Sequence, residues 1–189
     1  MTHHENVKMI TFVGLPGSGK SEAVTYLTDK SIPRIYAGGV IYDAMDKMGI
    51  ERTQENETKF RVDIRAQQGV DFVFKEVVKQ ANDLIAAGQR RIVIDGLKTW
   101  DEYKITKQEF PGELSVVAVV APRHLRHHRL SIRPHLPLTD PEASARDWHE
   151  IEDVGAGGPI AIADHYIIND GNIEKLHQSI DAVISDLEF

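Results

Sequence analysis

The apolar residues of this chain cluster into short runs that are typical of buried parallel strands. The runs are rich in β-branched residues, and each of them leads into a loop. They predict five strands, at residues 9–13, 32–36, 91–94, 115–120 and 165–168.

Helical patterns fill the segments between these runs. Residues 72–85 carry apolar side chains at three- and four-residue spacing, and Gly88 follows as a stop signal. Residues 172–187 have one apolar face, and further helices are predicted to begin near Gly19 and to cover residues 39–48. The alternation of strand and helix predicts an α/β fold, a three-layer sandwich whose five-stranded parallel sheet carries helices on both faces.

One segment, residues 133–141, breaks this alternation with Pro134, Pro137 and Pro141. Proline is excluded from helix interiors, so we predict an exposed excursion between two helices, which we interpret as a lid. The sequence contains no internal repeat, low-complexity stretch or long linker. We therefore interpret residues 1–189 as a single domain.

Composition narrows the class of protein. The 189 residues are 41% hydrophobic and 27% charged, which is typical of a soluble globular protein. Lys and Arg number 22 against 29 Asp and Glu, a net charge of −7 that disfavours nucleic acid as a partner. Without cysteine there are no disulfides and no thiolate-ligated zinc. No secretory signal or membrane-length apolar run is visible, so we expect a cytoplasmic monomer or homodimer without a membrane partner.

The strongest motif is Gly-Leu-Pro-Gly-Ser-Gly-Lys-Ser at residues 14–21, directly after the first predicted strand and before a helix. This is the P-loop pattern in the context it requires. Backbone N–H groups of such a loop point at phosphates, the lysine adds a charge, and the serine hydroxyl ligates Mg²⁺. The pattern predicts ATP and Mg²⁺ as ligands and the following binding residues: Gly14, Pro16, Gly17, Ser18, Gly19, Lys20 and Ser21.

Asp95 ends the third predicted strand and precedes Gly96, which places its carboxylate at the carboxyl edge of the sheet. We predict that it is a second partner of the magnesium ion, the alternative being a loop-capping aspartate. Lys98, three residues further on, either reaches a phosphate or is solvated, and the sequence does not decide between these interpretations.

Residues 123–133 form the most basic segment, with four arginines and three histidines. We interpret it as a phosphate-holding element that shields the transferring group from water, and the alternative is a solvated helix face. His124 and His128 have zinc-ligand spacing, but no third ligand is identifiable. Arg61 and Arg65, four residues apart, either clamp an acceptor anion or are simply exposed.

Three segments together resemble a known group of enzymes. They are the P-loop at 13–21, Val-Ile-Asp-Gly at 93–96 and Ala-Asp-His-Tyr-Ile-Ile-Asn-Asp-Gly at 163–171. They look like the nucleoside-monophosphate-kinase group, and the chain most resembles dephospho-coenzyme A kinase and its uncharacterised archaeal relatives. The similarity runs from about residue 8 to 184, and only the P-loop is specific by itself.

The resemblance implies a parallel five-stranded sheet, ATP as phosphoryl donor, an acceptor-binding helical region at about 39–87 and a lid at about 126–146. Arg65 matches an arginine of the relatives. Arg129, Arg133 and Arg146 resemble their lid arginines.

The sequence departs from this pattern after the second strand. Gly39 and Tyr42 stand where relatives usually place an acidic residue and then an arginine. Either the acceptor differs from a typical nucleotide, with Asp43 as a displaced base, or acceptor phosphorylation has been lost. Both alternatives stay open.

Our leading hypothesis is an ATP-dependent kinase that acts on a small hydroxyl- or phosphate-bearing acceptor such as a nucleotide, nucleoside or coenzyme precursor. Its candidate catalytic residues are Lys20, Asp43, Asp95, Arg129, Arg133 and Arg146. The alternative is a regulatory module that binds a nucleotide with little or no acceptor phosphorylation. A GTPase switch is disfavoured because no guanine-reading Asn-Lys-x-Asp segment occurs, and net charge disfavours a nucleic-acid end kinase.

Overall fold

The computed structural model describes residues 6–69 and 71–189, apart from the side chains at positions 54, 55, 58, 61, 62 and 65. Its strands are β1 (Lys8–Val13), β2 (Arg34–Tyr36), β3 (Arg91–Asp95), β4 (Leu114–Val120) and β5 (His165–Ile168). Its helices up to β4 are α1 (Lys20–Asp29), α2 (Ala37–Lys47), α3 (Gln54–Gln68), α4 (Phe72–Ala86) and α5 (Trp100–Glu109). The later helices are α6 (Arg123–Ile132), α7 (Asp140–Glu152), α8 (Gly157–Ala161) and α9 (Ile173–Asp186).

The sheet is parallel throughout, with strand order β2-β3-β1-β4-β5. The first strand is therefore central, with Met9 opposite Ile92 of β3 on one side and Leu114 of β4 on the other. The chain leaves β1 toward one edge of the sheet and reaches β4 on the opposite side. In open parallel sheets, ligands bind at the carboxyl ends of the strands beside such a reversal.

Each face of the sheet is covered by helices, which confirms the predicted three-layer α/β architecture. On one face, Phe74, Val77 and Ala81 of α4 pack against apolar residues of all strands except β5. On the other face, Ala23 of α1 and Leu176 of α9 pack against the sheet. Strands covered on both sides consist of near-continuous apolar residues, which is why the runs were visible in the sequence.

The second strand is shorter than the predicted 32–36. Ile32 still belongs to the turn after α1, because its N–H donates to the carbonyl of Leu27. Pro33 has no N–H for a ladder, although its carbonyl accepts from Val93. The strand therefore begins at Arg34.

Helices α6 and α7 form a hairpin, here called the α6–α7 hairpin. The proline-containing excursion joins its two helices, but it ends earlier than predicted, since Pro141 lies in the first turn of α7. Proline is compatible with that position because the first N–H groups of a helix have no intrahelical partner. Thr139 and Glu142 close a capping box before it. No described helix combines the length and apolar character that a membrane crossing requires.

Candidate nucleotide-binding site

The P-loop joins the carboxyl end of the central strand β1 to the start of α1. Gly14, Gly17 and Gly19 all have positive φ angles, of 150°, 77° and 108°. A Cβ atom at Gly17 would lie 2.6 Å from the backbone oxygen of Arg126, and one at Gly14 would overlap the carbonyl of Val119. The glycines are thus required both by the left-handed backbone and by close seating against β4 and α6.

Lys20 begins α1, and its half-buried ammonium group is held by its own loop. Nζ donates to the carbonyls of Gly14 at 2.6 Å and Leu15 at 3.1 Å. Burial lowers its pKa from 10.5 to about 8, helped by the positive charges of Lys98 and Arg126 and opposed by two nearby carboxylates. The P-loop lysine therefore lies among two further cations and two carboxylates.

The two residues predicted to contact magnesium lie on adjacent elements. Ser21 is exposed in the first turn of α1, and Asp95 is the last residue of β3. Burial raises the pKa of Asp95, against the effects of Arg34, Lys20 and Lys98. Arg34 Nη1 lies 3.5 Å from the Asp95 carboxylate. The Asp95 carboxylate is thus within electrostatic reach of the P-loop lysine, as expected of a carboxylate that would support a nucleotide-bound Mg²⁺.

Two arginines of α6 interact with backbone carbonyls of the P-loop. The buried Arg126 donates to the carbonyl of Pro16 at 3.1 Å and makes two hydrogen bonds to Asp147 of α7, at 2.6 and 2.8 Å. Arg129, one turn later, donates to the carbonyl of Asn169 at 3.1 Å and lies 3.4 Å from that of Gly17. The α6–α7 hairpin is thereby attached to the loop.

Asn169 directly follows β5 and forms a hydrogen bond with the P-loop. Its buried side-chain amide donates to the carbonyl of Ser18 at 2.8 Å, and a Cβ atom at Gly19 would overlap the same amide. Asn169 lies within the segment 163–171 that carries the resemblance to the kinase group, and no role was predicted for it. Its position after a predicted strand, at the ligand-binding edge of the sheet, was the available signal.

Arg146 and Lys98 meet on the buried carboxylate of Glu150. The guanidinium of Arg146 donates twice to Glu150 Oε1, at 3.0 and 2.7 Å. Lys98 Nζ, in the loop after β3, lies 3.8 Å from the same oxygen. The structure therefore brings two predicted phosphate-binding residues together around an acidic residue that the sequence analysis did not single out.

Two other candidates, Arg133 and Asp43, interact with residues outside the P-loop. Arg133 ends α6, and its Nε donates to the carbonyl of Leu136 within the excursion at 2.6 Å. Asp43 is exposed on α2, where it acts electrostatically on Arg52. Arg65 falls within α3, but its side chain lies outside the described part of the structure, as does that of Arg61.

The two departures from the kinase pattern lie beside an aromatic residue. A Cβ atom at Gly38 would come within 2.5 Å of the ring of Tyr36, and one at Gly39 within 3.4 Å. The ring centroids of Tyr36 and Tyr42 are 6.5 Å apart. Small residues at the start of α2 thus leave room for the Tyr36 ring, where relatives were expected to carry an acidic side chain.

Comparison with known proteins identifies the family. No protein-family model matches the chain. A UPF0200 protein of Thermococcus onnurineus is 32% identical over 182 residues, covering 95% of this chain and 97% of the relative. Another UPF0200 protein, from Thermococcus gammatolerans, is 33% identical over 182 residues and covers 95% of both chains. The chain belongs to the UPF0200 family.

Solved structures similar to this UPF0200 protein include small-molecule kinases. Shikimate kinase from Acinetobacter baumannii, in complex with shikimate, aligns with a TM-score of 0.59 at 21% identity, over 98% of this chain and 97% of that one. A gluconokinase from Sinorhizobium meliloti gives a TM-score of 0.57 at 13% identity, over 98% and 95%. At these identities the likeness is one of fold. The shared fold agrees with the five-stranded parallel α/β architecture described above.

Proposed function

We propose that this protein is an ATP-dependent phosphotransferase that moves the γ-phosphoryl group to a small acceptor in the cytoplasm. The observation that carries the proposal is the convergence of Lys20, Arg126 and Arg129 on a P-loop whose glycines are seated against β4 and α6. Such loops bind phosphate chains through backbone N–H groups and a lysine. The kinase-like fold supports the same class of reaction.

Charge stabilisation and positioning would supply most of the catalysis, as is general for phosphoryl transfer. Lys20 would leave its loop carbonyls and bind the β- and γ-phosphates, and Arg129 and Arg146 would add charge from the hairpin. Ser21 and Asp95 would hold Mg²⁺, which neutralises charge between the phosphates when it is bound. Within the described residues, no three His, Asp or Glu side chains form a metal site, so metal affinity would depend on the nucleotide.

The acceptor is a nucleotide, a nucleoside or a coenzyme precursor such as dephospho-coenzyme A. A hydroxyl acceptor needs a base, and the two candidates are Asp43, which is exposed on α2, and Asp95, should it not be engaged by the metal. A phosphate acceptor needs little base catalysis. Arg65 is retained as a proposed acceptor ligand.

The test is an assay of purified protein with Mg-ATP and a panel of nucleosides, nucleoside monophosphates and dephospho-coenzyme A. We expect one acceptor class to stimulate ADP formation and to give a phosphorylated product by mass spectrometry. Lys20→Ala should reduce this activity at least about a hundredfold, since it removes a charge that acts in the transition state. Lys104→Ala, which removes an exposed lysine of α5, should leave it unchanged.

A second candidate function is a regulatory module that binds ATP with little turnover. The observation in its favour is the Tyr36 ring, which lies beside Gly39 and Tyr42. The kinase pattern has an acidic residue and an arginine at these two positions. Tight ATP binding without stimulation by any acceptor in the panel would favour this function over the kinase. Absence of ATP binding would contradict both.

A further inference from the structure

Glu150 is a buried carboxylate beside the proposed phosphate site. Only 4% of the residue is exposed, and it lies in the last turn of α7. Taking a carboxylate out of water is costly unless cations and hydrogen bonds compensate for the lost hydration. Arg146 and Lys98 provide that compensation through contacts of 2.7 to 3.8 Å with Oε1.

The partners of Glu150 are groups that a bound nucleotide would also attract. Arg146 and Lys98 are 47% and 48% exposed at their side chains, so neither is confined to its contact with Glu150. The negative charge of Glu150 also reaches Lys20, whose pKa it raises against the dominant effect of burial. A nucleoside triphosphate bound at the P-loop would therefore be repelled by the negative charge of Glu150. The two cations that could attract it are already paired with that carboxylate.

We propose that Glu150 competes with the nucleotide phosphates for Lys98 and Arg146 and so lowers the affinity of the site for ATP. The proposal rests on nucleotide binding at the P-loop. Phosphate oxygens and the Glu150 carboxylate are alternative anionic partners for the same two cations. A cation that turns toward a phosphate gives up its contact with Glu150. The free energy of that broken contact makes ATP binding weaker than it would otherwise be.

A purely structural role for Glu150 predicts the opposite sign. If its contact with Lys98 served only to hold α7 against the loop after β3, removing the charge would loosen the site and weaken ATP binding. Competition predicts that removing the charge strengthens binding, because both cations become available and a repulsive charge disappears. The direction of the change in affinity therefore separates the two roles.

The experiment compares the dissociation constants of Mg-ATP for the wild type, Glu150→Gln and Glu152→Gln by isothermal titration calorimetry. Glutamine keeps the size of Glu150 and an oxygen that accepts from Arg146. We expect Glu150→Gln to bind Mg-ATP about three- to tenfold more tightly, a magnitude suited to one partly screened charge. Glu152 is exposed on the same helix, so its variant makes the same change in net charge and should stay within about twofold of the wild type.

Unchanged or weaker binding by Glu150→Gln, with normal binding by the wild type, would overturn this inference and leave the proposed function intact. No Mg-ATP binding by any of the three proteins would overturn both. Circular dichroism checks the fold of each variant. Should Glu150→Gln not fold, the pair Arg146→Gln with Glu150→Gln is compared with Arg146→Gln alone, and competition requires tighter binding by the pair.

Discussion

At the scale of single residues, a bound phosphate chain would change both the hydrogen bonds and the protonation of Lys20. Its ammonium group donates to two carbonyls of its own loop, and its pKa of about 8 means that part of the population is neutral at mildly alkaline pH. Phosphate oxygens next to the ammonium group would favour the charged form and raise this pKa. Nucleotide binding should therefore be linked to proton uptake.

We predict that the affinity for Mg-ATP falls as pH rises above about 8. Below the ligand-free pKa, Lys20 is already protonated and affinity is flat with respect to this group. Above it, binding requires a proton, so affinity falls by up to about tenfold per pH unit. Ionisation of the phosphates is complete by then, since their second pKa is about 6. Calorimetry between pH 7 and 10, in buffers of different ionisation enthalpy, measures both effects.

The control for this prediction is Lys20→Arg, because a guanidinium stays charged throughout the range. Its affinity should be lower but almost independent of pH. An equal pH slope in the wild type and in Lys20→Arg would show that another group controls the titration.

Single residues of the site differ in how visible they were in the sequence. The P-loop could be predicted because its chemistry requires adjacent residues in a fixed order. Arg126 and Asn169 contact that loop from distant parts of the chain, and Glu150 contacts Lys98 in the same way. Contacts between residues so far apart leave no pattern of local spacing in the sequence. Arg126 was part of the conspicuous basic segment, but nothing in its sequence distinguished it from the exposed Arg123.

At the scale of elements, the contact between α6 and α7 depends on two acidic residues of α7. Asp147 accepts two hydrogen bonds from Arg126 and lies 3.0 Å from Nε2 of His127. Asp140, at the start of the helix, lies 2.6 Å from the other nitrogen of the same imidazole. Burial alone would raise the pKa of Asp147, but Arg126 and His127 hold it below its usual range. The helices are thus joined by a network of polar side chains centred on the buried Arg126–Asp147 ion pair.

We predict that Asp147→Asn destabilises the protein by about 2–4 kcal/mol, because it leaves the guanidinium of Arg126 buried without its counter-charge. The same variant should weaken ATP binding, since Arg126 also donates to Pro16 of the P-loop. Denaturation by urea measures the first effect and calorimetry the second.

Asp153→Asn is a suitable comparison, because Asp153 is an exposed residue that follows α7 and pairs with His149. It should change the free energy of unfolding by less than about 1 kcal/mol. Similar effects of the two substitutions would contradict the view that Asp147 holds the hairpin to the loop.

Elements differed in predictability for a physical reason. The strands could be predicted from the sequence, because a strand that is buried on both faces consists of nearly continuous apolar residues. Helix α5 was not predicted, since Thr106 is its one buried residue among those described and its apolar pattern is weak. Its start is fixed instead by the capping box of Thr99 and Glu102. The five-residue α8 is too short to show any periodicity.

At the scale of the whole molecule, two apolar clusters share the same sheet. The larger lies under α2, α4 and α5, and the second lies under α1 and α9. Strands β1, β3 and β4 contribute residues to both clusters, so neither layer can unfold without exposing the other. A third cluster of Ile41, Met45, Phe60 and Ile64 joins α2 to α3, and it meets the first through Phe72 and Val73.

This shared sheet predicts that the chain unfolds as one cooperative unit on heating. Circular dichroism follows all elements, whereas tryptophan fluorescence follows Trp100 of α5 and Trp148 of α7. The two thermal transitions should coincide.

Mg-ATP at about a hundred times its dissociation constant should add about 2.7 kcal/mol to the free energy of unfolding. In a domain of this size that raises the melting temperature by about 5–10 °C. Lys20→Ala should lose most of this increase while unfolding in the same single transition. If fluorescence changed at a lower temperature than circular dichroism, the α6–α7 hairpin or α5 would be unfolding separately, and the single-domain interpretation of residues 1–189 would fail.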